Sequence, residues 1–212
     1  MCAASAEPQP RLDSSSFFAR DTVEVARSLI GAWVMRETAD GVSAGAIVET
    51  EAYGGPEDLA SHARAGLTRR TAPMFGPVGH AYVYLVYGMH ECLNVVAYGE
   101  GRAAGAVLIR AIESRTGIEL MRARRGRAHD PDARLAAGTA RLCQALAVDR
   151  SFDGHDLTVG DRLWLAPPPL GEPQPLDELA SGPRIGVDYA GAGWAARPWR
   201  FWLAGNPAVS RP

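Results

Sequence analysis

Apolar positions in this chain fall mostly in short runs punctuated by glycine and proline, and only a few stretches carry helical spacing. Gly76-Pro77 and Gly79 open AYVYLVY, a β-branched and aromatic run without charge. Gly88 breaks that run, and a second apolar run, CLNVV, follows at once. Two strand-like runs split by a glycine predict a β-hairpin with Tyr87-Gly88 at its turn. At such a tip Tyr87 either folds back against the sheet or projects into something. Upstream, Asp21-Thr22-Val23-Glu24 has capping-box spacing and opens a helix over VEVARSLIG that Gly31 stops. AWVMRE, an Asp40-Gly41 turn and AGAIVETEAY then predict a second hairpin. On its returning strand Ile47, Glu49, Glu51 and Tyr53 share one face, and Val48, Thr50 and Ala52 share the other. Two carboxylates on an otherwise apolar strand face mark either a wet edge or a carboxylate held at the mouth of a cleft as base or nucleophile.

Later elements follow the same grammar. In GGPEDLASHARAG a glycine-proline turn leads to acidic residues that predict the start of a short helix carrying His62. GAVLIRAIE reads as a buried strand with Arg110 at its centre, and a buried guanidinium must meet a carboxylate or a bound anion. ESRTGIELMRARRGRAHDPDARL predicts a helix running into an Arg-rich loop. Gly138-Thr139 opens the helix ARLCQALAV, a start exposed enough to take a phosphate. From Ser151 short strands, RLWLAP and RFWLAG, are separated by the proline-rich PPPLGEPQP.

Composition narrows the choices. At 212 residues and 47% apolar, the chain suits one large domain, and no repeat or composition break marks a boundary. We expect an unstructured leader over residues 1–16 and a single domain over 17–212. No run of 18 uncharged apolar residues predicts a membrane span. Three widely spaced cysteines without a CxxC argue against disulfide frameworks and zinc sites, and imply a cytoplasmic protein. The formal charge of −2 is unevenly spread: residues 59–150 hold 13 Arg against 7 acids, whereas residues 1–58 hold 4 Arg against 10 acids. A basic middle of that kind suits nucleic acid better than the total does. All 22 basic residues are Arg, and there is no lysine.

In fixed order, IVETEAYGGPEDLASHA, PMFGPVGHAYVYLVYGMHECLNVV, VLIRAIE, TARLCQAL and RIGVDYAG…PWRFWLAGNPAVS resemble the alkyladenine (3-methyladenine) DNA glycosylase family, from about Leu12 to Ser210. The resemblance implies an α+β fold: a single compact domain with a curved mixed or antiparallel sheet, flanking helices and a projecting β-hairpin. It implies a monomeric, cofactor-free, monofunctional enzyme acting on double-stranded DNA with alkylated purine lesions. By residue, it implies that Glu51 is the general base and that Arg110 helps to hold water and the flipped nucleotide. Tyr53, His62, Tyr84 and Asn94 would line the base pocket, Tyr87 would intercalate, and residues Arg184 to Gly191 would close the pocket. Aromatic faces attract cationic alkylpurines, and a flipped nucleotide leaves a gap for Tyr87 to fill. The family's DNA-facing lysines must here be Arg or absent, and His90 stands where an aromatic is often found. Two other classes remain: a non-catalytic minor-groove binder of this fold, and a metal-dependent nuclease using His62, His80 and His90, for which no ligand spacing is present.

Overall fold

The computed structural model describes residues 11–12, 15–159, 161–170 and 178–211, so residues 1–10 and 13–14 of the expected leader and part of the proline-rich linker lie outside the described residues. The rest of that leader is ordered, contrary to expectation: the Leu12 N–H donates to Leu165 O, and Ser15 and Ser16 begin a helix. Strands β1 (Trp33–Thr38) and β2 (Gly41–Tyr53) form the upstream hairpin. Thr38 faces Gly41 in the register, so the connection is Ala39-Asp40, one position earlier than Asp40-Gly41. The glycine is needed at the strand entry instead, where φ is 123°. β3 (Ala81–Val86) and β4 (His90–Val96) form the second hairpin. Tyr87 and Gly88 have φ of 53° and 71°, and the Met89 N–H donates to Val86 O at 3.2 Å. Tyr87 and Gly88 are both left-handed, and because Val86 faces His90 in the register the connection is the three residues Tyr87, Gly88 and Met89. Gly88 adopts the left-handed conformation freely. Tyr87 adopts it at a cost of about 1–2 kcal/mol.

β5 (Ala106–Thr116) lies at the middle of the sheet, which runs β3-β4-β5-β2-β1-β6, with β6 at Leu163–Ala166. β7 (Leu179–Gly182) pairs with β8 (Arg200–Leu203), and β8 pairs with the second half of β2. Every pairing among these eight strands is antiparallel. β5 runs on through Glu113 to Thr116 because its pairing with β2 continues to Ala44. The helix expected from Glu113 therefore starts only at Ile118, after Gly117 at φ 67°.

The short helices α1 (Ser15–Phe18), α2 (Thr22–Ser28), α3 (Ile118–Arg125), α4 (Asp132–Leu135), α5 (Thr139–Leu146) and α6 (Ala192–Ala195) complete the α+β architecture. Asp21 caps α2 as expected, accepting from the Val23 and Glu24 N–H groups. Val25, Leu29, Met121, Leu142 and Leu146 pack with Val83, Leu93, Val95, Val107 and Ile109 from alternate strand positions in one buried core. Each fully buried Leu or Ile there contributes roughly 1.5–3 kcal/mol. Strand alternation sends Tyr82, Tyr84, Asn94, Leu108 and Arg110 to the opposite face. The register of β2 with β5 shifts at Ala44/Gly45, Ile47/Glu49 and Glu49/Thr50; the irregularity at Ile47–Glu49 leaves both Ile47 and Val48 in the main core, so Ile47 does not share a face with the carboxylates. The segment after β2 also departs from expectation. Glu57 and Asp58 open no helix; only a 3-10 turn forms at His62–Ala65, capped by Ser61. Among the described residues no helix is long and apolar enough to cross a membrane.

Candidate active site

The strand register sets Tyr82, Asn94, Leu108, Glu51 and Arg200 side by side across β3, β4, β5, β2 and β8. Glu51 has no exposed surface, and neither does Glu49, so neither carboxylate is a wet edge. The Glu51 Oε1 accepts from the Ile185 N–H at 2.8 Å and lies 3.3 Å from Arg110 Nη1. Its Oε2 accepts from the Tyr53 hydroxyl at 2.7 Å. Burial raises the Glu51 pKa, against the opposing pull of Arg110 and the two hydrogen bonds. Three of about four acceptor positions are taken, which leaves the carboxylate one lone pair for a further donor. Arg110 is satisfied as the sequence requires, by Glu51 and by Glu49 at 3.0 Å. Glu49 also accepts from Arg200 at 2.8 Å and from the Ser210 N–H at 2.7 Å.

In front of this cluster is a cavity of about 320 Å³. Every residue expected at the base pocket lines it: Tyr53, His62, Tyr84 and Asn94, with Arg110 and Tyr87. Glu51 itself lies just behind, covered by its own partners Tyr53, Arg110 and Ile185. The His62 ring meets the Tyr84 ring edge-on at 4.6 Å, and its Nδ1 is 3.0 Å from the Tyr82 hydroxyl. Burial, with Arg70 and Arg64 nearby, lowers the His62 pKa to about 4, so at neutral pH it is an uncharged aromatic surface. Burial also raises the Tyr84 and Tyr53 hydroxyl pKa values, so both stay protonated donors. The Asn94 amide is fixed, its Nδ2 donating to Tyr82 O at 2.9 Å and Cys92 O at 3.4 Å. Thr139, at the start of α5, opens onto the same cavity.

Tyr87 does not fold back. It is 87% exposed at the hairpin tip while lining the cavity's rim. Held in a left-handed conformation and turned to solvent, it is strained without any packing to offset the strain. Sequence reasoning missed Tyr82, although period-two alternation from Tyr84 points to it; Tyr189, 59% exposed, lines the cavity with Ile185, Gly186 and Val187 from the segment expected to close it. Sequence reasoning also missed the fully buried Asp58–Arg184 pair, joined at 2.6 and 3.0 Å. Arg184 stands over both Tyr53 and Trp199, and the pair ties the loop after β2 to the 184–187 segment. The three histidines of the metal reading are dispersed: His62 pairs with Tyr82, His80 bridges to Asp156, and His90 flanks the turn. Among the described residues no group of three or more His, Cys, Asp and Glu is placed to hold a metal ion.

Comparison with known proteins identifies the family. The family model described as Methylpurine-DNA glycosylase (MPG) matches residues 16–207. A protein of Anaeromyxobacter dehalogenans that carries the provisional name of a 3-methyladenine DNA glycosylase is 49% identical over 93% of this chain and 84% of its own length. The DNA-3-methyladenine glycosylase of Mus musculus is 44% identical over 92% of this chain and 60% of its own length. That of Homo sapiens is 41% identical over 92% of this chain and 66% of its own length.

Proposed function

The chain belongs to the methylpurine-DNA glycosylase family, and we propose that it flips alkylated or deaminated purines out of duplex DNA and hydrolyses their N-glycosidic bond. The observation that carries this reading is Glu51: a fully buried carboxylate with a raised pKa, behind an aromatic cavity at the foot of an exposed hairpin. A stacked base cannot reach such a cavity, so the nucleotide must rotate out while Tyr87 supports the gap. Tyr53, His62 and Tyr84 then offer aromatic faces, worth roughly 0.5–2 kcal/mol per contact to a cationic base. The rigid Asn94 amide stands as a barrier to purines bearing an extra exocyclic amine.

Water attacks C1′ as the C1′–N bond breaks and its electron pair leaves with the base; Glu51 takes the water's proton. Burial makes the carboxylate a stronger base, and its negative charge faces the developing sugar cation. Arg110 and the Ile185 N–H keep it oriented rather than neutral. For a cationic base one carboxylate suffices, because that base already leaves well, unlike the two-carboxylate division in ordinary glycoside hydrolysis; a neutral base departs as an anion and takes its proton from solvent. Strand cleavage through a Schiff base would need a nucleophilic amine; with no lysine in the sequence and Arg always protonated, the α-amino group is the one amine left for it, and we expect excision to end at an abasic site.

Duplexes carrying 3-methyladenine, 7-methylguanine, hypoxanthine or ethenoadenine test the reading directly. Free base is expected, with an intact abasic strand until alkali is added and no covalent adduct under borohydride. Tight binding without base release would leave a minor-groove binder in its place.

A further inference from the structure

Behind the wall of the base pocket lies a second cavity of about 350 Å³ that no part of the mechanism uses. Gly54 and Gly55, which follow Tyr53 directly, form one side; Trp194, Arg197 and Trp199 form another. The Arg197 guanidinium stacks 3.7 Å from the Trp194 ring centroid and 4.7 Å from that of Trp199, with the two indoles edge-to-face at 5.8 Å. Because the indoles stand at 76° to one another, the guanidinium can lie flat on only one of them; such cation–π contacts restrain the group without using its N–H donors. Among the described residues no carboxylate or carbonyl accepts from the Arg197 side chain. The other charges in the cavity are committed. Arg102 pairs with Glu57 at 2.9 Å, and Asp21 caps α2. Arg197 is thus a pre-oriented fork of donors with no acceptor, facing a concave space.

We propose that this cavity is a phosphate-binding subsite, with Arg197 as its bidentate donor and a phosphodiester of the DNA strand as its occupant. A guanidinium held against two indoles offers two phosphate oxygens its N–H donors with little further ordering of the side chain on binding. The subsite also touches the catalytic layer, since Trp199 stacks on Arg184, which stands over Tyr53, the partner of Glu51. The inference rests on the glycosylase reading for the identity of the anion, and on the cavity alone for its chemistry.

The test is affinity for undamaged duplex at several salt concentrations, with wild type, Arg197→Gln and Arg197→Lys. Each phosphate contact contributes about −0.9 to the slope of log K against log salt. The slope should shrink by about 0.9 in Arg197→Gln and return in Arg197→Lys, which keeps charge and loses only the fork. Thermal midpoints of both variants establish that they are folded. An unchanged slope in folded Arg197→Gln overturns the proposal. So does stabilisation by inorganic phosphate that disappears in Arg197→Gln while the DNA slope stays fixed, because the cavity would then take a free anion. Undamaged duplex keeps this test separate from catalysis: absence of base release by wild type would sink the function and leave the slope readable.

Discussion

Glu49 and Glu51 stand two residues apart on one strand, both without exposed surface, and share Arg110. Their surroundings differ in one respect. Glu49 is enclosed by two guanidiniums and the Ser210 N–H; of these donors Arg110 lines the cavity, whereas Arg200 and Ser210 belong to β8 and the C-terminal segment away from it. Glu51 meets one guanidinium, one backbone N–H and one hydroxyl, and all three donors belong to residues that line the cavity. A buried carboxylate surrounded by cations stabilises a fold. One whose donors form the wall of an open space is available to chemistry. Burial alone does not separate the two; the identity and position of the partners does.

The sharpest break of this comparison is Glu51→Gln. Base release should fall by ~10²–10⁴-fold, the range for a removed general base, with lesion binding retained. The same substitution should not lower the thermal midpoint at neutral pH. A carboxyl with a raised folded pKa contributes stability below its unfolded value, near 4.5, and loses it as pH rises through the folded value. The variant should therefore match wild type in acid and exceed it above the raised pKa. Near-wild-type excision by Glu51→Gln would remove Glu51 from the base role.

Glu49→Gln should show the converse. Removing one partner leaves Arg200 and half of Arg110 buried without a counter-charge, at a cost of about 3 kcal/mol or more. The loss is read as a lower denaturation midpoint, while the protein that remains folded keeps most of its base release. If Glu49→Gln is as stable as wild type and as inactive as Glu51→Gln, the division between the two carboxylates is wrong.

Tyr87 extends the comparison to the hairpin. Tyr87→Ala should weaken binding to a lesion duplex by about 1–3 kcal/mol, the range for a lost aromatic–base stack. Its thermal midpoint should barely move, because the side chain is exposed and packs on nothing. A large fall in midpoint with unchanged affinity would return Tyr87 to a packing role.

Much of this was readable in the residues. Alternation on β2 put Glu49, Glu51 and Tyr53 together, and the buried Arg110 demanded the carboxylates it finds. The turn at Tyr87-Gly88 followed from the break between two apolar runs. What could not be read is where non-local closure decides. Asp58 looked like a helix-starting acid because its partner, Arg184, lies 126 residues away. The Ile185 N–H that holds Glu51 is backbone, and carries no signal in residue type. The bulge at Ile47–Glu49 shifts one residue between faces without a glycine or proline to mark it. The roles themselves came from the resemblance, since composition and spacing alone favoured a wet edge over a catalytic carboxylate.

The smallest effect concerns pH, and it separates Glu51 from the other titratable group at the cavity. The groups around His62 are Tyr82 and Tyr84, which stay protonated, and Arg64 and Arg70, which oppose a positive ring. With its folded pKa lowered to about 4 against an ordinary 6.5, His62 contributes stability that is present above 6.5 and lost as pH falls through 4. Glu51 acts in the opposite sense over acid pH, so the two partly cancel in wild type. His62→Gln, which can still hydrogen-bond Tyr82, should gain stability relative to wild type as pH falls from about 6.5 to 4. The acid limb of base release should behave differently. It reports loss of the ionised base, so it should lie above the ordinary carboxylate range and stay in place in His62→Gln, whatever happens to the maximal rate. An acid limb that moves with His62→Gln would make the imidazole, and not Glu51, the group whose protonation stops the reaction.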